Sequence, residues 1–527
     1  MFVLLMGLQS ETGAKNLQID PIRSSPIKHP GASMSVHWPI IRTLARNARR
    51  TLITDDRGSY TGREILVASM HVAGEIERCS SSATVGLLLP TSATFPIAAL
   101  ASWMLGRTVV PLNYLLKPEE LAYVIDHCQT DCIVTVNPIL EHVDALPEAV
   151  HLLKMDEINF RSMPELRWPA MAGDEDLAML IYTSGTTGRP KGVMLTHGNL
   201  SANIRQGVNG MDVTKNDVFL GVLPQFHAFG VTQLTLTPLT VGARVLYTAR
   251  FRASTILKLA REHGATAFVG IPSMYNALIA AKQGTPEDLA SMRLMVSGAE
   301  PLPDATLTRF REKFNVTICE GYGMTEVSPA TNLALPGQYK VHSVGKPLVG
   351  VIQRVVDPAT EQELPVCAEG ELRMKGPNLM AGYFRQPEAT SEAIDNQGFL
   401  KTGDMAKIDE EGFLYITGRI KEMIIVGGEN VFPREVEEVL NKHEAVNASG
   451  VIGVQDPLRG EVIVAFVELL EDQSVTGDEL RTWCRQFLAG YKAPREVHII
   501  KALPRNPIGK IIRRDLKALL PKPERVS

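Results

Sequence analysis

Cysteine is scarce in this chain: six residues (Cys79, Cys128, Cys132, Cys319, Cys367 and Cys484) among 527. So sparse a set builds no disulfide framework, and a reducing cytoplasm is the compartment it suits. His127, Cys128 and Cys132 are followed by no second ligand pair, so these thiols read as buried structural groups rather than metal ligands. Excess charge of either sign is also missing. Lys plus Arg total 54 against 58 for Asp plus Glu, a net of −4, which offers no global field for nucleic acid or anionic lipid. The apolar run at residues 2–5 is too short for a signal peptide and no basic region precedes it, so no secretion is expected. One long stretch, residues 79–106, carries no charge at all, a length that could span a membrane. Pro90, Pro96 and Thr91-Ser92 interrupt it, and it reads better as a buried strand (85–89), a loop and a buried helix (97–105).

With 45% hydrophobic and 21% charged residues the composition is that of a globular protein, and the length calls for two or more packed units at about 150 residues per domain. Apolar runs alternate with amphipathic helices. Pro118 opens one, Glu119 and Glu120 fill its first turn, and Leu121, Val124, Ile125 and Cys128 line one face. A strand over 132–136 follows. The unit recurs as a helix over 255–263 stopped by Gly264, strands over 266–269 and 294–296, and a helix over 304–314. This is βαβ wiring and predicts an α/β fold with parallel or mixed sheets. Glycines 398, 403, 412, 418, 427 and 428 then crowd among charged residues and mark a joint. Beyond it, a helix opened by Pro433 and strands over 449–454 and 462–469 predict a small α+β domain over 421–527, after a large one over 1–420.

The strongest local signal is the run from Tyr182 to Gly192, placed after an apolar strand at 178–181. Hydroxyls and bare amides in a glycine loop, finished by Lys191, suit a polyphosphate. Pro190 before that lysine and Gly192 after it break the pattern of the common P-loop. Further along stand Pro224-Gln225-Phe226-His227-Ala228-Phe229-Gly230, Ser297-Gly298-Ala299-Glu300, Gly321-Tyr322-Gly323-Met324-Thr325-Glu326, Lys401-Thr402-Gly403-Asp404, Gly418-Arg419-Ile420-Lys421 and Asn506-Pro507-Ile508-Gly509-Lys510.

In these motifs and their order the chain resembles the adenylate-forming superfamily of acyl-CoA synthetases, carrier-protein adenylation domains and luciferases, over residues of about 50 to 515. Most similar are the fatty acyl-CoA ligases. The resemblance implies a distorted β-barrel in the large domain and a mobile C-terminal lid. It implies ATP, Mg²⁺ and coenzyme A as cofactors, and a carboxylic acid joined to AMP before transfer to the CoA thiol. By the same resemblance Thr183, Ser184, Gly185, Thr186, Thr187, Gly188 and Lys191 hold the phosphates. Glu326 holds Mg²⁺, Thr325 touches the α-phosphate, and Gly298, Ala299, Glu300, Gly321, Tyr322 and Gly323 flank adenine. Asp404 and Arg419 take the ribose, and Lys510 bridges the acid and the α-phosphate. Lys421 is the hinge, and Gly427 and Gly428 face CoA.

The acid pocket is assigned to His227, Phe229, Gly230, Met274, Ala299, Gly323 and Val327, apolar or small, which fits an uncharged tail. No aspartate stands within residues 226–229 to pair with an α-amine, so amino acids are disfavoured. A medium- or long-chain fatty acid is the leading expectation, with an aryl acid, or a carrier protein as acceptor, as alternatives. The compact run from Glu326 through Gly345 to Gly370 lacks the insertion of fatty acyl-AMP ligases, which favours CoA. An inactive nucleotide-binding module on the same fold is countered by intact Lys191, Glu326, Asp404, Arg419 and Lys510. Residues 1–35 match nothing and are expected to form a mobile extension. Peripheral membrane contact and a homodimer are left open.

Overall fold

The uncharged stretch that could pass for a membrane span is the centre of a sheet. Strand Thr84–Leu88 is buried at every position and pairs in parallel with Thr108–Pro111 on one side and Cys132–Thr135 on the other. Helix Thr94–Met104 is buried from Phe95 to Met104, and Trp103 Nε1 donates to the Ala178 carbonyl at 2.8 Å, fastening it to the next strand of the sheet. No described helix is long and apolar enough to cross a membrane.

The computed structural model describes residues 35–143, 146–183, 189–335, 337–456, 460–506 and 509–520, all within one unit, 34–527. The expected extension up to residue 34, loop residues Ser184, Gly185, Thr186, Thr187 and Gly188, and Pro507 and Ile508 lie outside the described residues. Ser35, placed in the extension by sequence, is fully buried.

Among the described residues there are four sheets. Seven strands form the first, and nine form the second in the order 346–347, 330–333, 319–323, 294–297, 267–270, 218–221, 244–247, 51–55 and 58–61. Its inner strands run parallel, as the βαβ reading predicts. Helix boundaries follow the local chemistry: Pro118–Cys128 begins on the proline, Ala253–His263 stops at Gly264 with φ +59°, and Asp304–Phe314 ends at Asn315 in the left-handed region. The part expected as a distorted barrel is a four-stranded antiparallel sheet ordered 352–356, 370–375, 400–408 and 414–419. The fourth sheet takes only strands after residue 420, and its long hairpin, Val446–Asp456 with Gly460–Leu469, is backed by helices Pro433–Asn441 and Gly477–Phe487 over a separate apolar cluster. The architecture is thus a large α/β part of parallel and mixed sheets followed by a smaller α+β part.

Candidate active site

Parallel strands deliver the site at their carboxyl ends, where open α/β sheets bind ligands. Leu294–Ser297 runs out into Gly298, Ala299 and Glu300, and Cys319–Gly323 runs out into Thr325 and Glu326. Ala299 sits at φ +68°, a strained angle for a residue with a Cβ. Gly323 could be nothing else: a Cβ there would lie 1.8 Å from the Pro329 carbonyl oxygen. Two cavities meet at this edge and share Ala299, Gly321, Tyr322 and Gly323.

The larger cavity is lined by most of the charged side chains, among them Glu300, Asp404, Arg419 and Lys510. Asp404, 2% exposed, accepts from the Tyr322 hydroxyl at 2.5 Å on one oxygen and from Arg419 Nε at 2.8 Å on the other. Antiparallel pairing of Leu400–Ile408 with Leu414–Arg419 puts Asp404 directly opposite Arg419, so the backbone register makes this pair. Burial, then the Asp404 carboxylate, pushes the Tyr322 hydroxyl well above its ordinary range and keeps it protonated.

Lys510 enters the same cavity from the C-terminal part. The neighbouring Ile511 N–H donates to Glu300 Oε1 at 2.9 Å, and Gly509 lies so close to Ile271 and Ser273 that a Cβ would fall 2.6 and 2.9 Å from their side chains. Burial, then repulsion from Arg419, lowers the Lys510 ammonium, while Glu300 and Glu422 hold it up. Arg513 donates to Glu437 at 2.7 Å and to Glu422 at 2.8 Å, tying helix Pro433–Asn441 to the 420–422 turn. It is therefore an ion-pair anchor.

Glu326 lies at the far rim. The Tyr383 hydroxyl donates to its Oε1 at 2.9 Å, and Lys191 Nζ stands 4.9 Å from the centre of the Tyr383 ring. Thr183 and Lys191 are register partners on two antiparallel strands, so both ends of the glycine loop are fixed beside Glu326 even though its middle lies outside the described residues. A single carboxylate here suits Mg²⁺. That ion keeps water and phosphate oxygens and needs few protein ligands. Glu326 would hold it, and bound there it would neutralise phosphate charge.

The second cavity, about 690 Å³ to its open mouth, is mostly apolar. His227 and Phe229 line it together with Met211, Val269, Val296, Leu333 and Leu348. The Phe229 N–H donates to His227 Nδ1 at 3.3 Å, which leaves Nε2 as the protonated nitrogen. Burial, reinforced by Lys510, lowers His227 to about 4, so the ring is neutral. Three residues expected in this pocket are not in its lining. Val327 is 2% exposed in the main core, Met274 packs between two apolar clusters, and Gly230 abuts the Pro224 carbonyl. Phe229 beside Gly230 reaches the cavity, as do Thr325 and Pro329 on either side of Val327, whereas Pro272 and Ser273 beside Met274 line the larger cavity instead. Gly427 (φ +62°) and Gly428 (φ +91°) form an open turn between strands Ile424–Val426 and Glu429–Val431, and neither lines either cavity. Sequence reasoning missed Tyr383, Gly207, Gln233 and Asn332, which no motif flags.

Family models of the AMP-binding enzyme and of the AMP-binding enzyme C-terminal domain match residues 41–384 and 435–510. The chain belongs to the AMP-binding enzymes. It is an AMP-forming acid–thiol ligase of that family, and ATP, Mg²⁺ and coenzyme A are the cofactors of its class. It is 34% identical to a feruloyl-CoA synthase of Amycolatopsis sp over 82% of this chain and 88% of that one. It is 32% identical to a long-chain-fatty-acid–CoA ligase of Bacillus subtilis over 90% and 92%. Among solved structures, ATP-bound MatB from Rhodopseudomonas palustris superposes with a TM-score of 0.84 at 29% identity, covering 92% of this chain and 99% of that one. The apo form of the same protein gives 0.75.

Proposed function

We propose that the ligase activates a carboxylic acid with an uncharged tail, aryl or medium-chain aliphatic, to its acyl-adenylate and passes the acyl group to CoA. One observation carries this reading: the second cavity, reached past Ala299 and Gly323, has no Lys, Arg, Asp or Glu in its described lining, and its histidine is neutral. A charged tail would be left there without a partner, at a cost of several kcal/mol. A long alkyl chain, the other half of the sequence expectation, would have to end against the buried Gln233 amide, so shorter or aromatic tails fit better.

In this reading two anions must approach each other, and the chain's own cations offset the repulsion. Lys510 is held at the shared edge by Glu300 and brings positive charge between the acid and the α-phosphate; Lys191 does the same for the outer phosphates. Tyr322, Asp404 and Arg419 orient the nucleoside, and Thr325 with His227 orients the carboxylate. Thioester formation follows after residues 421–527 rotate about Lys421, withdrawing Lys510 and bringing the Gly427-Gly428 turn to the adenylate. The match to ATP-bound over apo MatB supports an arrangement poised for the first step.

The test is pyrophosphate release from Mg-ATP with octanoate, palmitate, benzoate, coumarate and the dicarboxylic acid malonate, each alone, with CoA and with a phosphopantetheinylated carrier protein. Turnover of an uncharged acid that depends on CoA is expected. Release that needs a carrier protein in place of CoA, or a preference for a dicarboxylic acid, would overturn the respective half of the reading.

A further inference from the structure

One polar atom in the acid cavity has nothing to bond. Gln233 is 3% exposed, lines the cavity, and its Oε1 is buried without a partner. Its orientation is not free. Asn203 Nδ2 donates to the Ala330 carbonyl at 2.7 Å, and Asn203 Oδ1 accepts from the Ala330 N–H at 3.4 Å, so the backbone fixes which end of the Asn203 amide is which. Gln233 Nε2 then donates to that Oδ1 at 3.1 Å, and its oxygen is turned away from Asn203. It looks towards Gly207, where a Cβ would stand 2.9 Å from it, so only glycine leaves this oxygen uncrowded. The residue sits in a π-helical turn, Thr232–Leu236, a local irregularity that recurs at functional sites. Gln233, Gly207, Met211 and Leu348 line the acid cavity and not the nucleotide cavity, and none of them belongs to the edge that the two cavities share at Ala299, Gly321, Tyr322 and Gly323.

We propose that Gln233 Oε1 accepts a hydrogen bond from an uncharged donor, a hydroxyl or neutral amine, at the remote end of the acid. The substrate class is then a hydroxy- or amino-substituted acid, with a ring-hydroxylated aryl acid fitting the apolar walls best. The inference rests on the ligase reading above and narrows it. A buried acceptor left unmet discriminates against a plain tail by roughly 10- to 100-fold. An ammonium is disfavoured because no carboxylate stands in the cavity's described lining.

The test compares kcat/KM for pyrophosphate release with cinnamate and its 2-, 3- and 4-hydroxy derivatives, and with octanoate and 8-hydroxyoctanoate, using the full chain. At least one hydroxylated acid is expected to exceed its parent by 10-fold or more. In Gln233→Leu that ratio should fall to near one, chiefly by loss on the hydroxylated acid. Gly207→Ala, which keeps Gln233 but covers its oxygen, should lower the ratio in the same direction. Parent acids turned over as well as every hydroxylated one, or a ratio unchanged in both variants, would overturn this inference and leave the ligase reading standing. Absence of turnover with every acid would overturn both.

Discussion

Replacing Glu438 by glutamine is expected to stabilise the protein above neutral pH and to change little in acid. Glu438 lies on helix Pro433–Asn441 and Glu320 on strand Cys319–Gly323, so the two carboxyls belong to the two parts of the chain that enclose the nucleotide cavity. Burial raises each to about 7; Arg434 opposes the rise in both, and Asp304 adds to it. Glu438 Oε2 is buried without a hydrogen bond, and Glu320 has the Leu302 N–H at 3.3 Å. A folded pKa above the unfolded one means that the native state holds its proton more tightly. The stability that follows is complete below pH 4.5 and is lost as pH rises through about 7. From 4.5 to about 7, at about 1.4 kcal/mol per tenfold, the loss reaches about 3 kcal/mol for one group. Glutamine carries no such penalty. Urea unfolding at pH 4 and pH 8.5 measures it: Glu438→Gln should match wild type within about 0.5 kcal/mol at the lower pH and gain about 1–3 kcal/mol at the higher. An equal difference at both values would show that packing, not ionisation, distinguishes the side chains, and the argument would fail.

Lys510→Ala should reduce adenylate formation by about two orders of magnitude or more while thioester formation from preformed acyl-adenylate stays within a few-fold, because only the first step uses that cation; equal losses in separate half-reaction assays would refute the rotation of residues 421–527. Lys421→Pro should show the opposite split, and unimpaired thioester formation would remove the hinge role. Asp404→Ala removes the acceptor shared by Tyr322 and Arg419, so the KM for ATP should rise about tenfold or more with the KM for the acid little changed. Gly323→Ala sets a methyl 1.8 Å from the Pro329 carbonyl and should cost more than about 3 kcal/mol in an unfolding titration.

What the sequence made legible is what short-range rules decide. Helix Asp304–Phe314 was expected at those bounds, and Pro118 and Gly264 sit at the ends they were expected to mark, because proline geometry and left-handed backbone act within one turn. The residues expected to take the nucleotide come together for another reason: Ser297–Glu300, Gly321–Glu326 and Gly418–Lys421 lie at strand ends, and a sheet brings strand ends together whatever lies between them. The acid pocket is different. Its lining comes from helix His197–Gly210, the π turn and the strand ends, and a rotation of one residue on any of these changes what the acid meets. Val327 is an example: it is buried in the core although Thr325 and Pro329, on either side of it, line the pocket.

The same limit explains why the two features with most to say about specificity and pH were not legible at all. Gln233 differs from any core glutamine only in which way its amide faces, and that is set by Asn203, thirty residues away, itself oriented by the backbone of Ala330. Glu320 and Glu438 are ordinary surface-type residues in sequence; burial in the fold raises their carboxyls to about 7. A buried carboxyl that takes up a proton as two parts close makes closure itself proton-linked. If rotation of residues 421–527 returns Glu438 to water, the adenylation arrangement is favoured in mild acid and the thioester arrangement in mild base. A CoA thiol, with its pKa of about 8.5, is also more nucleophilic on the basic side. The pH profiles of the two half-reactions should therefore separate, adenylation reaching its limit at lower pH, and Glu438→Gln should move the adenylation profile towards higher pH. Coincident profiles in wild type and variant would mean that Glu438 stays buried through the cycle.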